Sequence, residues 1–267
     1  MWSKVGAIFL RDARLALSYR MSFWMQWVGI AVSVTGFWFI SQLVPPSHKF
    51  GFMGHKGSYF EYVVVGLAFV NYQSTALQSF QRSIRGDQML GTLEAILATP
   101  TSLSLIILSS GVWAFFLTTL QVTCYIVLAT VFFGLDLDYV NVFSVLCFLI
   151  LTIACMSPLG VLSAATVMTF KQTGPTNFVM GGGAQLLGGV LFPVSLLPLP
   201  LQFISRALPL THALNGIRGA VHGATMGQLS HDAIWLSVAT MILLPFSLLV
   251  FQRAVDRAKM DGTLGHY

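Results

Sequence analysis

At 267 residues, 55% hydrophobic and only 9% charged, the chain lies far below the roughly 25% charged residues of a soluble domain and reads as an integral membrane protein. The net charge of +5 is spread over the flanks of apolar stretches, so it argues against a nucleic-acid-binding surface. Runs such as residues 146–151 do not alternate in polarity, which argues against a β-barrel. The expected fold is all-α, with residues 1–267 forming a single transmembrane domain.

Taken in chain order, residues 1–22 read as an interfacial helix. Lys4, Arg11, Arg14 and Ser18 share one face, and Trp2, Val5, Ile8 and Phe9 share another. A plain basic tail is the alternative. Six spans are expected at about 23–44, 59–80, 105–133, 142–170, 177–197 and 233–251, because ~20 apolar residues cross the hydrocarbon as a helix. The first is too long for a signal-peptide core, and Val44-Pro45-Pro46 follows it rather than a small-residue cleavage site. Ser58-Tyr59-Phe60-Glu61 is a capping-box pattern opening the second span.

Residues 91–100 emerge into water between the second and third spans and predict a short surface helix. Thr92 suits its N-cap, Glu94 suits the positive end of its dipole, and Pro100 forces an exit. So ordered a loop implies a partner. With the N-terminus in the cytoplasm, ten of the fourteen Lys and Arg residues fall on the cytoplasmic side. That is the positive-inside arrangement, and it places both termini and residues 91–100 inside. Residues 198–232 are too polar and proline-rich for one straight span. They read as a re-entrant outer segment with amphipathic helices at 201–207 and 211–223, the latter capped by Thr211 and ended by Gly223.

Chemistry-bearing motifs are sparse. The glycines at 181–183 and 188–189 lack a following Gly-Lys-Ser/Thr, so they form no P-loop and suit close helix packing instead. No GxSxG or HExxH occurs, and His48, His55, His212, His222 and His231 read as solvated surface groups. Cys124, Cys147 and Cys155 lie inside spans and read as small core residues. No catalytic, cofactor or metal site is expected. Polar groups within spans carry more information. Asn71, Ser74, Thr75 and Gln78, continued by Arg82, recur on one helical face. Such a stripe serves either an aqueous path or hydrogen bonds to a partner helix. Gln121 and Gln185 read as interhelical amides.

Three features together resemble the membrane permease subunit of ABC-2 type ATP-binding-cassette exporters. One is the run from Arg85 to Pro100, with its Gly91-Thr92-Leu93-Glu94 core and Thr99-Pro100 end. Another is Gly189-Val190-Leu191-Phe192-Pro193, Leu197-Pro198, Leu208-Pro209-Leu210-Thr211-His212-Ala213-Leu214 and Arg218. The third is the six-span layout with a basic N-terminal helix and a short basic tail. The resemblance implies a homodimer of permeases, surrounded by membrane lipid, on two copies of a cytoplasmic ABC ATPase that hold the ATP and Mg. A bacterial-type plasma (inner) membrane is implied. Residues 91–100 would be the coupling helix, with Thr92, Leu93, Glu94, Ile96, Leu97 and Pro100 meeting the ATPase. Substrate would pass Asn71, Ser74, Thr75 and Gln78, beside spans two and five, towards an outer gate at Phe192 and Pro193. The cargo would be an amphiphile, such as a drug-like compound, a lipid or a lipid-linked molecule. A polysaccharide or lipid-linked glycan exporter is the alternative. A membrane-embedded enzyme is the alternative of another class, and it requires a cluster of acid, base or nucleophile groups that the spans lack.

Overall fold

A computed structural model describes residues 2–44, 58–97, 102–135, 140–170 and 178–260, and among these every regular element is helical. In chain order they are α1 (Trp2–Ser18), α2 (Arg20–Gln42), α3 (Tyr59–Met89), α4 (Leu93–Leu97), α5 (Leu103–Ser110), α6 (Val112–Phe133) and α7 (Val142–Phe170). A π-helical turn (Phe178–Gly183) then leads into α8 (Ala184–Leu187) and a 3₁₀ turn (Val194–Leu196). The chain closes with α9 (Leu199–Ala207), α10 (Pro209–Val221) and α11 (Ser230–Met260).

Four segments are long and apolar enough to cross a membrane: Phe23–Gln42, Leu103–Phe133, Val142–Thr169 and Ser230–Met260. Their outward faces leave Val32, Phe116, Phe132, Phe143, Ile150, Met241 and Phe246 more than half exposed. An apolar surface of that extent is what lipid covers. α3 is as long, at 31 residues or about 46 Å, yet lies inside the bundle. It packs against α2, α6, α7 and α10, burying Val63, Val64, Ala68, Tyr72, Ala76, Leu77 and Phe80.

Small residues set the approach of these helices. A Cβ on Gly160 of α7 would lie 2.1 Å from the Ala76 carbonyl of α3. One on Gly216 of α10 would lie 1.9 Å from the Phe148 ring of α7. Between lipid-bathed helices, contact surface of this kind drives association, since burial from water contributes little. Gly111 divides the third span into α5 and α6, and the Phe80 ring occupies the space its side chain would need.

Several expectations meet the structure differently. Residues 178–197 do not form a straight span. Gly181–183 sit in a π turn, α8 is one turn long, and Gly189 turns the chain with φ +75°. Hydropathy counts glycine as neutral, whereas glycine weakens a helix and admits the left-handed turn. Residues 171–177 lie outside the described residues. α10 is not a surface amphipathic helix, because Leu210 through Leu214 and Gly216 through Ala220 are buried on all sides. Thr211 does not cap α10. Leu208 takes the cap position ahead of Pro209, and the Thr211 hydroxyl donates to the Ser205 carbonyl at 2.7 Å. The Ser58–Glu61 capping box is present in both directions.

Candidate functional site

The polar stripe of α3 opens on a cavity of about 1300 Å³ walled by α1, α2, α3 and α6. Asn71, Ser74, Thr75, Gln78 and Arg82 all border it, as helical spacing requires of one face. Ile30, Trp113 and Leu117 form an apolar wall, and Gln26, Ser33, Gln121 and Tyr125 add further polar groups. Part of the stripe is committed to holding helices together. Thr75 hydrogen-bonds Thr118 at 2.7 Å, and Tyr72 donates to Thr119 at 3.0 Å, both on α6. Gln121 donates to Gln26 of α2 at 2.8 Å. Other members point elsewhere, for Asn71 donates to its own helix at the Leu67 carbonyl, and Arg82 donates to Gln78. The stripe thus pairs helices through Thr75 and borders a cavity with Asn71 and Gln78. The described part of residues 178–197 does not border this cavity; α2 and α6 stand where span five was expected.

The same cavity reaches α4 through Thr92, Ala95 and Ile96. α4 is moored at its N-terminus from two sides. Gly91, with φ +67°, makes the turn out of α3. The Thr92 backbone N–H donates to the Asp87 carbonyl at 2.9 Å, and its hydroxyl lies 3.4 Å from the Asp87 carboxylate. That carboxylate lies 3.7 Å from Arg11 of α1. Burial lifts the Asp87 carboxyl above its ordinary value, and Arg11 and then Thr92 pull it back. On the other side Leu93 is 2% exposed and borders a small void with Ile84, Leu103, Ile107, Phe251 and Val255. Leu93 thus faces the permease bundle. Glu94 and Leu97 belong to α4, Thr92 and Ala95 are exposed, and Pro100 lies outside the described residues.

α1 closes the cavity by laying Phe9 edge-on against Trp113 and Phe116 of α6, with ring centroids 5.1 and 5.7 Å apart. Its Leu10 and Leu17, seven residues apart and so on one face, remain exposed, and an exposed apolar face suits a helix lying in the interface.

At the far end of α3, Arg218 of α10 is 4% exposed. Its guanidinium donates to the carbonyls of Gly189 at 2.8 Å, Tyr62 at 2.9 Å and Val190 at 3.1 Å, and lies 3.5 Å over the Tyr62 ring. The Tyr62 hydroxyl also donates to the Gly189 carbonyl at 2.7 Å. This clamp fixes the loop that carries Phe192 and Pro193. Neither of those residues borders the cavity. The sequence places Arg218 in the family-like motif and on the outer side but gives it no partner; its signal is the one arginine in this helix.

His212 was expected to be solvated, yet it is 7% exposed. Its Nδ1 is 2.6 Å from Asp232 of α11, its Nε2 is 2.8 Å from the Arg206 carbonyl, and its ring stacks on Trp235 at 4.2 Å. The pair joins the α9–α10 corner to the start of α11. His212→Ala should lower stability by about 2–3 kcal/mol, the worth of charge-assisted hydrogen bonds plus the ring contact. Thermal melts in detergent check this. Asp232→Asn combined with His212→Ala should cost clearly less than the sum of the two; full additivity would show that the two side chains act independently.

Among the described residues no group of His, Cys, Asp and Glu could hold a metal ion. A family model described as ABC-2 type transporter matches residues 5–222. Comparison with curated proteins returned no match. The matched stretch is most of the chain and runs from α1 to the end of α10, taking in the stripe, α4 and the Arg218 clamp. The chain therefore belongs to the ABC-2 type transporter family, and is a multi-pass membrane permease of ABC-type transport.

Proposed function

We propose that the chain is the membrane subunit of an ATP-driven exporter that moves an amphiphilic molecule out of the cytoplasm or inner leaflet. The observation that carries this reading is that the polar stripe and α4 border one cavity. An ATPase that displaces α4 would pull on Asp87 at the foot of α3, and through Arg11 on α1, changing the shape of the space beside Asn71 and Gln78. The reading takes α2, α3, α5 with α6, α7, the 177–197 segment and α11 as six crossings, both termini being cytoplasmic. Two ATPase subunits hold the ATP and Mg, and a second copy of the permease completes the path. Leu93 acts in this scheme as the anchor of α4, and Glu94 is the residue offered to the ATPase.

The test is coexpression with an ABC ATPase, followed by copurification and measurement of cargo-stimulated hydrolysis. Glu94→Ala should leave the permease folded and reduce stimulation by about tenfold, the loss of one charged contact of roughly 1.4 kcal/mol. Transport by the permease alone, without nucleotide, would overturn the proposal.

A further inference from the structure

The charges around the cavity are unevenly matched. Arg11 lies 2.9 Å from Asp12 and 3.7 Å from Asp87, so one guanidinium serves two carboxylates and the group keeps an excess negative charge. Both carboxylates are sheltered, with side chains 18% and 15% exposed. Burial already raises the Asp87 carboxyl despite Arg11, which marks a carboxylate with less cationic support than it could use. Arg82 borders the same cavity, is exposed, and donates to neutral Gln78. Arg82 and Asp87 are five residues apart on α3, or about 7.5 Å along its axis. Above them stands the apolar wall of Ile30, Trp113 and Leu117.

We infer that this cavity binds a zwitterionic amphiphile, its anionic group on Arg82, its cationic group against Asp12 and Asp87, and its chain along the Ile30–Trp113–Leu117 wall. The inference deepens the exporter reading and rests on it for the direction of transport, though not for binding. A guanidinium takes phosphate oxygens in a planar fork. The carboxylate pair attracts an ammonium, and both it and Arg82 border the one cavity. A purely anionic headgroup would face the Asp12–Asp87 excess, and a purely cationic one would face Arg82. A net-neutral dipole suits both, its anionic end meeting the exposed Arg82 and its cationic end the sheltered carboxylates.

Trp113 supplies the readout. The full-length permease is held in a neutral sugar detergent and titrated with bromine-labelled phosphatidylcholine. Quenching is taken as the difference between the unaltered chain and Trp113→Phe. Phosphatidylglycerol and a trimethylammonium lipid with the same labelled chains serve as comparisons. Phosphatidylcholine should quench saturably at a midpoint about fivefold or more below either comparison. Arg82→Gln should raise the phosphatidylcholine midpoint and bring the cationic lipid level with it or ahead. Asp12→Asn should do the same for the anionic lipid. Asp12 and Arg82 are chosen because Asp87 also holds Thr92. Chainless phosphocholine should fail to compete. Equal midpoints for the three headgroups would overturn the inference, as would midpoints indifferent to both substitutions, or full competition by phosphocholine. Because no ATPase is present, a chain that couples to its ATPase yet shows no headgroup preference would sink this inference and leave the exporter reading standing.

Discussion

Gly160→Val is expected to yield no monodisperse, folded permease in detergent. The first atom of any side chain at Gly160 would lie 2.1 Å from the Ala76 carbonyl and 2.4 Å from the Phe80 ring. The nearer atom is backbone, so it cannot rotate away. Ala76 and Phe80 are themselves buried, at 0% and 1% exposure, and α3 is held on its other side by α6 through the Thr75 and Tyr72 hydrogen bonds. α3 can therefore retreat only by breaking those hydrogen bonds and moving its polar stripe into the cavity. Overpacking a core typically costs about 1–3 kcal/mol; here the displaced element is the central helix, which packs extensively against α7. The expected result is loss of the thermal transition or a drop well beyond that of His212→Ala. Gly36→Ala is the matched control, since a Cβ there meets nothing within 4 Å, and it should be neutral or gain up to about 1 kcal/mol. A melt for Gly160→Val equal to that of Gly36→Ala would show that α3 and α7 do not pack in this way.

That contact was invisible to hydropathy, and the reason shows where sequence reading reached and where it stopped. Uniformly apolar stretches were legible. The expected span at 142–170 coincides with α7 (Val142–Phe170), because polar loops bracket it. Where a helix outlasts its apolar stretch, hydropathy ends too early. α3 runs on from Phe80 to Met89, and α11 from Phe251 to Met260, through polar sequence. α3 also falls outside the four segments of highest hydropathy, since the stripe that lines the cavity is what makes it polar. Helical periodicity alone put Asn71, Ser74, Thr75 and Gln78 on one face. It could not say that α2 and α6, and not residues 178–197, would stand opposite. Leu93 was read as a surface contact because a five-residue helix gives no periodicity to separate its faces. It is buried where α3, α5, α7 and α11 meet. His212 and Arg218 failed for a related reason. A polar group on a helix predicted to lie at the surface is taken as solvated, whereas α10 is enclosed by α3, α7 and α11, so its polar side chains find their partners in the protein.

Arg218→Met is the second substitution with a large expected effect, and it bears on the end of α3 opposite α4. Methionine keeps much of the apolar stem and removes the guanidinium. Three carbonyls lose their donor: Gly189, Tyr62 and Val190. The Gly189 carbonyl keeps the Tyr62 hydroxyl, while the cation over the Tyr62 ring is lost. Hydrogen bonds to a charged donor contribute about 1.5–3 kcal/mol each. Against this, removing a buried charge recovers part of its desolvation cost. A net loss of about 3 kcal/mol is expected. The balance distinguishes this position from an ordinary core site, for an isolated apolar replacement cannot satisfy carbonyls that face away from water. Arg218→Lys should recover only part of the loss. A single ammonium on a flexible stem cannot span three carbonyls in the plane that the guanidinium fork fits. Gly66 tightens the constraint, because its missing Cβ leaves room for Arg218 Nη2, which would otherwise lie 2.8 Å away, and for the Val190 carbonyl at 2.5 Å. The released segment is the loop from Gly189 to Pro193, so hydrogen exchange should rise there and in the following 3₁₀ turn, with α7 and the lower half of α3 unchanged. Unaltered exchange across that loop in Arg218→Met would mean that the clamp does not hold the Phe192–Pro193 segment. Cargo-stimulated hydrolysis in the assembled transporter then separates two roles for the segment. If Phe192 and Pro193 gate the exit, loosening them should uncouple hydrolysis from cargo while leaving the ATPase bound, because α4 and its mooring to Asp87 lie at the opposite end of α3.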